Sequence, residues 1–364
     1  MLVQSRLKCF GQFIAIKSRS PLIPMSLVLI TLAKSGFVDM SSHSDQISAE
    51  NEVFPVPSGI LTGISYGTRL IYWVLEPETR DQIFVINVIL LMAALIFLTF
   101  RVIRLRNEVE RGLLFVSIFL GPIVIVLLGN IGRNDVFLLT GSVLVALSLP
   151  IGNTGHVVPS KRAGGISFFG IFLMLIGNPE QSVVAFLLLL LISFSSNFRS
   201  IRNCAAFGLA ISLTTCALLT IWASAFSVGS RFGLVDDFYR QSIQNFLTNF
   251  SLVIFSGYGF IWIAVILVIL WSKMRDLPWV VLSTVMVPVV VVGLTADQTR
   301  VWVGITAAVS LVLVRFLAMR IPADHKYLAL GSTLVVALFA PTLEVTYVGE
   351  VGSPLPYVYF ILRN

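Results

Sequence analysis

The stretch VVGLTADQTRVWVG, Val291 to Gly304, turns from apolar to polar and back within a few residues. The run before it, 278 to 295, carries no charged residue, and the run after it, 301 to 317, only Arg315. Each is close to the roughly 20 residues that an apolar helix needs to cross a bilayer. The stretch therefore reads as a tight turn between two membrane-crossing helices, and it places Asp297 and Arg300 at the start of the second. Whether these two charges only cap their own helix or belong to a site is the functional question of this chain.

The composition agrees with that reading. Of 364 residues, 57% are hydrophobic and 12% charged, and the mean hydropathy is +0.93; this is far from the mix of a soluble domain. Cys9, Cys204 and Cys216 lack any paired spacing, and His43, His156 and His325 are scattered. A disulfide framework, a zinc site or a multi-histidine metal centre is therefore not expected.

By the same length criterion, spans are expected near 21 to 37, 83 to 100, 112 to 129, 135 to 150, 165 to 177, 182 to 196, 204 to 226, 252 to 272, 278 to 295, 301 to 317 and 327 to 343. The expected fold is all-α: a polytopic transmembrane bundle of about 11 spans, forming one integral membrane domain over residues 1–364. The first segment follows Arg6, Lys8, Lys17 and Arg19 and resembles a signal peptide, but no small-residue cleavage site follows it, so it is taken as a retained span.

Most of the 25 lysines and arginines fall on alternate connections if the N-terminus is cytoplasmic, which places the C-terminus outside; the expected location is the cytoplasmic (inner) membrane. This one-sided placement also explains the net charge of +7 without nucleic acid as a partner. Most of the acidic residues fall on the outer side. Two outer loops are long, 38–82 and 227–251. In the first, Ile60, Ile64, Ile71 and Leu75 share a helical face, and Tyr66, Tyr72 and Trp73 suit a membrane interface. In the second, Tyr239, Ile243, Phe246 and Phe250 form an apolar stripe behind Asp236 and Asp237, which could cap the helix start. Both loops are expected to carry helices lying on the outer surface.

Three tight outer turns each carry an acid: GRND with Arg133 and Asp135, NPEQ with Glu180 and Gln181, and DQTR with Asp297 and Arg300. Ionisable groups this close to lipid are costly unless hydrated or paired. Gathered by the bundle, they would line an outward cavity. Arginine presents a planar fork to phosphate oxygens, and a carboxylate can take a hydroxyl proton or hold a divalent cation. Local ion pairs and helix caps are the plain alternative for each turn taken alone.

The layout resembles polytopic glycosyltransferases of the GT-C type and the EpsG-like or O-antigen polymerase membrane proteins of exopolysaccharide synthesis. GRND followed by NPEQ matches the spacing of two outer motifs in those proteins, and DQTR matches a later acid-plus-arginine turn. The histidine expected in the second motif is absent, with Glu180 nearby, and Asp39 and Asp45 are separated where GT-C enzymes often have adjacent acids.

The resemblance implies a membrane glycosyltransferase or polysaccharide polymerase that uses a polyprenyl-phosphate or pyrophosphate sugar at the outer face. Its partners would be that donor, a glycan acceptor, membrane lipids and other polysaccharide assembly proteins. It further implies that Asp39 or Asp45 activates the acceptor hydroxyl. Arg133 and Arg300 would hold donor phosphate, with Arg231 and Arg240 as further phosphate contacts. Asp297 or Glu180 would orient the sugar or a divalent cation such as Mg or Mn, and Asp135 and Gln181 would complete the polar set. Two other classes fit the same layout: a secondary transporter or flippase of a lipid-linked or small anionic substrate, for which Gly121-Pro122 and Pro288 could break helices mid-membrane, and a non-catalytic subunit of an assembly complex.

Overall fold

The computed structural model describes residues 2–36, 67–151, 161–225, 231–295, 297–342, 344–345 and 351–352. In chain order the helices are α1 (Leu2–Lys17), α2 (Leu22–Ser35), α3 (Gly67–Leu75), α4 (Arg80–Ile103), α5 (Glu108–Phe119), α6 (Pro122–Gly129), α7 (Asp135–Ser148), α8 (Lys161–Gly177) and α9 (Pro179–Ile192). They continue with α10 (Arg202–Ala225), α11 (Arg231–Thr248), α12 (Phe250–Tyr258), α13 (Trp262–Trp271), α14 (Leu277–Val281), α15 (Val287–Gly293), α16 (Gln298–Arg320) and α17 (Lys326–Phe339). Two short strands, β1 (Glu344–Val345) and β2 (Val351–Gly352), pair antiparallel.

Every one of the eleven apolar segments is helical, but length divides them. Five helical stretches are long and apolar enough to cross a membrane: Arg80–Ile103, Glu108–Gly129, Ser196–Trp222, Phe250–Trp271 and Gln298–Arg320. A sixth arises if α1 and α2, bent by 118°, are taken together. The helices at Asp135–Ser148 and Pro179–Ile192 have 14 residues each, or about 21 Å at 1.5 Å per residue, short of the roughly 30 Å hydrocarbon core. Their apolar residues face other helices rather than lipid, so their short length leaves polar turns packed within the bundle.

Burial sorts centre from rim. Over their most apolar stretches Glu108–Gly129 and Gln298–Arg320 are each 94% buried, against 17% for Ser196–Trp222. α5, α6 and α16 are therefore the middle of the bundle, and α4 and α10 its outside. One continuous apolar cluster runs through the middle, and Trp302 and Phe115 are among its largest fully buried side chains.

Helix ends follow local chemistry. Thr79 and Gln82 form a reciprocal capping box before α4. Asn107 accepts from Val109 N and Glu110 N at the start of α5, and Asn178 accepts from Gln181 N at the start of α9. Pro122 and Pro179 occupy first-turn positions, where their missing N–H costs nothing.

Two expected breaks are present. Gly121 separates α5 from α6 in extended conformation, with φ −90° and ψ 180°. Pro288 cannot donate to the carbonyl four residues back, Thr284, and its ring crowds that group. The turn widens into a π segment over Leu282–Met286, and the freed Thr284 carbonyl accepts the Tyr258 hydroxyl at 2.9 Å. A third break, at Gly259 with φ +53° between α12 and α13, carries no proline signal.

The surface-helix expectations change in detail. Helix α3 exists, yet Tyr72 is buried and donates to Asn87 Oδ1 at 2.6 Å instead of standing at an interface, while Trp73 is exposed. Helix α11 begins at Arg231, so Asp236 and Asp237 lie inside it and do not cap its start. Phe246 is buried, whereas Ile243 and Phe250 remain exposed. Helix α1 is an addition: the basic flank of the first span is itself helical and packs along α17.

Small residues set the close crossings. A Cβ on Gly141 of α7 would stand 2.5 Å from the Gly170 carbonyl oxygen of α8, and one on Gly170 would stand 2.9 Å from the Gly141 carbonyl oxygen. Such pairs let helix backbones touch where lipid supplies no hydrophobic drive. Gly141→Leu is therefore expected to lower stability by about 1–3 kcal/mol through overpacking. Gly165→Ala, where an added Cβ meets nothing within 4 Å, is expected to be neutral or slightly stabilising; thermal unfolding of both variants in detergent checks the contrast.

Candidate functional site

The turn GRND and the turn DQTR meet. Arg133 Nη1 donates to Asp297 Oδ2 at 2.8 Å, and Arg300 Nε donates to the same oxygen at 2.6 Å. Arg300 Nη1 also donates to Asp135 Oδ2 at 3.2 Å. Two acids and two arginines from separate segments form one alternating network, Arg133 to Asp297 to Arg300 to Asp135.

Local structure aims these groups at one another. Asp297 occupies the N-cap position of α16, yet its side chain makes no cap bond there. Its accepting oxygen is committed to the two guanidinium groups. Asp135 opens α7 and is 4% exposed. Asn134, at the N-cap position of α7, likewise makes no cap bond; its side-chain oxygen accepts from Thr68 N and Thr68 Oγ1, at 2.8 and 3.1 Å, and ties α3 to the site.

The floor is polar as well. Gln181, in the first turn of α9, is buried against Gly304, one helical turn beyond Arg300; any Cβ at 304 would collide with Gln181 Oε1. That oxygen has no hydrogen-bond partner among the described residues. Gln298 Nε2 donates to the Ser242 carbonyl at 3.1 Å and joins α11 to the start of α16. The Thr299 hydroxyl pairs with the Ser256 hydroxyl at 2.7 Å and accepts from Val345 N at 2.8 Å, which seats β1 over the same end.

Of the residues that sequence alone singled out, Arg133, Asp135, Asp297 and Arg300 come together, and Gln181 lies beside them. Glu180 is half-buried in the first turn of α9. Arg240 is exposed on α11 and donates to the hydroxyl of Tyr239 rather than to an acid of the network. Asp39 and Asp45 lie outside the described residues, as does the Arg231 side chain. Among the described residues no group of three His, Cys, Asp or Glu side chains is placed to hold a metal.

Reading by turns missed the far end of the same helix. Arg315 donates to Glu110 Oε1 at 2.7 Å, and its Nη1 also donates to the carbonyls of Ala146 and Leu149, at 2.5 and 2.9 Å. It thereby closes the C-terminus of α7, whose last carbonyls lack helical partners. The signal was present: Arg315 interrupts the apolar run LVLVRFLAM, and a charge inside such a run needs a buried partner. Lys34 follows the same logic, donating to the Ala337 and Ala340 carbonyls at 2.9 and 2.8 Å and closing the end of α17.

Comparison with family models, with curated proteins and with solved structures finds no match for this chain.

Removing Asp297 would leave two largely buried guanidinium groups facing each other. Asp297→Ala is expected to cost about 3 kcal/mol, as when one partner of a buried ion pair is deleted. A double-mutant cycle with Arg133→Ala is expected to show a coupling of about 1–3 kcal/mol, read from chemical unfolding in detergent.

Proposed function

We propose that the network Arg133–Asp297–Arg300–Asp135 binds the phosphate of a lipid-linked sugar, and that the chain is a polytopic membrane glycosyltransferase or polysaccharide polymerase with about 11 membrane segments. One observation carries this reading. Asp297 stands where a helix cap would stand, yet it holds two arginines brought by different segments.

A structural cap needs one backbone partner, whereas this arrangement keeps guanidinium forks side by side. Of the five N–H donors on each guanidinium, Arg133 uses one and Arg300 two on the carboxylates. The remaining donors suit phosphate oxygens, which arginine binds in bidentate fashion.

The network of two acids and two arginines has no net charge, and this gives it a working cycle. An arriving phosphate competes with Asp297 for the two guanidinium groups. Engagement of the phosphate releases the Asp297 carboxylate to accept a hydrogen bond from a sugar hydroxyl. When the glycosidic bond to phosphate breaks, negative charge builds on the leaving oxygen, and the two arginines stabilise it in a partly desolvated setting. Asp39 or Asp45 remains the expected base for the acceptor hydroxyl. The site would face the outer side of the inner membrane, with the N-terminus cytoplasmic, as the skew of lysine and arginine indicates.

A second reading has its own observation. The breaks at Gly121 and Gly259 face each other: a Cβ on Gly259 would lie 3.5 Å from Pro122 Cγ, and one on Gly121 would lie 3.6 Å from Ile261 Cδ1. Paired discontinuous helices are a feature of secondary transporters, so a flippase of the same lipid-linked substrate is the alternative.

Proteoliposomes carrying the full chain, a polyprenyl-phosphate sugar and a glycan acceptor distinguish the two. Sugar transfer is expected, falling by at least about a hundredfold in Arg300→Ala. Translocation of the donor without transfer would favour the flippase, and transfer unchanged in both Arg133→Ala and Arg300→Ala would end the proposal for this network.

A further inference from the structure

The opposite end of the bundle carries a second site. Asp297 caps the start of α16 by position and Arg320 ends the helix, whose 23 residues span about 34 Å at 1.5 Å per residue. At that far end a cavity of about 680 Å³ is lined by Ser196, Asn197, Trp271, Lys273, Arg275 and Arg320, with Phe316 as its apolar wall. We propose that this cavity binds the phosphate headgroup of an anionic membrane phospholipid.

Its charges are arranged for an anion. Arg320 donates to Asn197 Oδ1 at 3.4 Å, and its guanidinium lies 5.1 Å from the ring centre of buried Phe316. These contacts hold its fork in place. The carboxylate beside the cavity, Asp276, is buried and turned toward Ser196, which donates to it through N at 3.2 Å and through Oγ at 2.5 Å. Arg275 Nε stays 3.9 Å from that carboxylate, with 74% of its side chain exposed. Neither Lys273 nor Arg275 makes a side-chain hydrogen bond among the described residues. Three cations therefore surround a space whose neighbouring acid already has its donors.

The setting selects a lipid over free phosphate. Leu270 and Trp271, at the end of α13, and Met274, on the turn after it, are 71%, 52% and 85% exposed. Exposed apolar side chains and a tryptophan beside a basic cavity match the level where acyl chain meets headgroup. Inorganic phosphate would occupy a small part of the volume and leave these side chains unused. This site rests on its own residues and does not depend on the reading of the DQTR end.

The test is a titration of the purified full chain in neutral detergent with dihexanoyl phosphatidylglycerol, dihexanoyl phosphatidylcholine and inorganic phosphate, following thermal unfolding. Phosphatidylglycerol is expected to raise the unfolding temperature, and the other two to leave it unchanged. Lys273→Gln with Arg320→Gln is expected to weaken phosphatidylglycerol binding about tenfold, because two charge-assisted contacts are lost. Arg106→Gln, an exposed cation elsewhere, is expected to bind as the parent does.

Equal stabilisation by phosphatidylcholine or by inorganic phosphate would overturn the lipid assignment. Unchanged affinity in the double variant, or the same loss in Arg106→Gln, would overturn the cavity. If Arg320→Gln prevents folding, Lys273→Gln with Arg275→Gln, both at exposed side chains, gives the same decision.

Discussion

The interaction on which the rest of the bundle depends is the double acceptance at Asp297 Oδ2, from Arg133 at 2.8 Å and Arg300 at 2.6 Å. It joins the start of the most buried long helix, α16, to the turn before α7. At the other end of α16, Arg315 reaches the last carbonyls of α7 and the carboxylate of Glu110. The two helices run in the same direction and are pinned to each other by arginines at both ends. Beside the first pin the Gln181 amide of α9 lodges against Gly304. In an interior where helices gain little from excluding water, such polar pins and close glycine contacts fix register and orientation.

Much of this was legible in the sequence. The apolar runs marked the buried helices of the described bundle, though not α1, because a 3.6-residue helix with nothing but apolar faces can only be buried in protein or lipid. The acids and arginines of GRND and DQTR stood out because charge is scarce in this chain. What the sequence could not give was which turns touch. Arg240 was expected as a further phosphate contact, yet it is exposed on α11 and donates to Tyr239 rather than to the acids of the network. Tyr72 looked like an interfacial aromatic, and its hydroxyl instead satisfies buried Asn87. Asp236 and Asp237 looked like a cap, but the helix begins earlier, a boundary that polar residues alone do not fix. Of the eleven expected spans, five or six are helices long and apolar enough to cross alone, and 14-residue apolar helices such as α7 and α9 pack against their neighbours.

Two residues show a rule that reading by turns overlooked. Lys34 and Arg315 each interrupt an apolar run, and each ends on backbone carbonyls at a helix C-terminus. A cation there meets unsatisfied acceptors and the negative end of the helix dipole. A lone basic residue within an apolar run is thus better read as a closure for a neighbouring helix than as a transport charge. Arg300 differs from both, because all its hydrogen bonds among the described residues go to carboxylates, whereas Arg315 divides its donors between Glu110 and two carbonyls; a carboxylate can be displaced by a competing anion.

That difference decides between a structural clasp and a binding site, and affinity for polyprenyl phosphate reads it most directly. Binding of a short-chain polyprenyl phosphate to the purified full chain would be compared between the parent and Arg300→Lys, which keeps the charge but removes the planar fork. A phosphate-binding network gives affinity about tenfold weaker in Arg300→Lys, for the loss of one bidentate contact. Equal affinity in the two proteins, or no binding to the parent, would contradict it and leave Asp297 and its arginines as a clasp between helices.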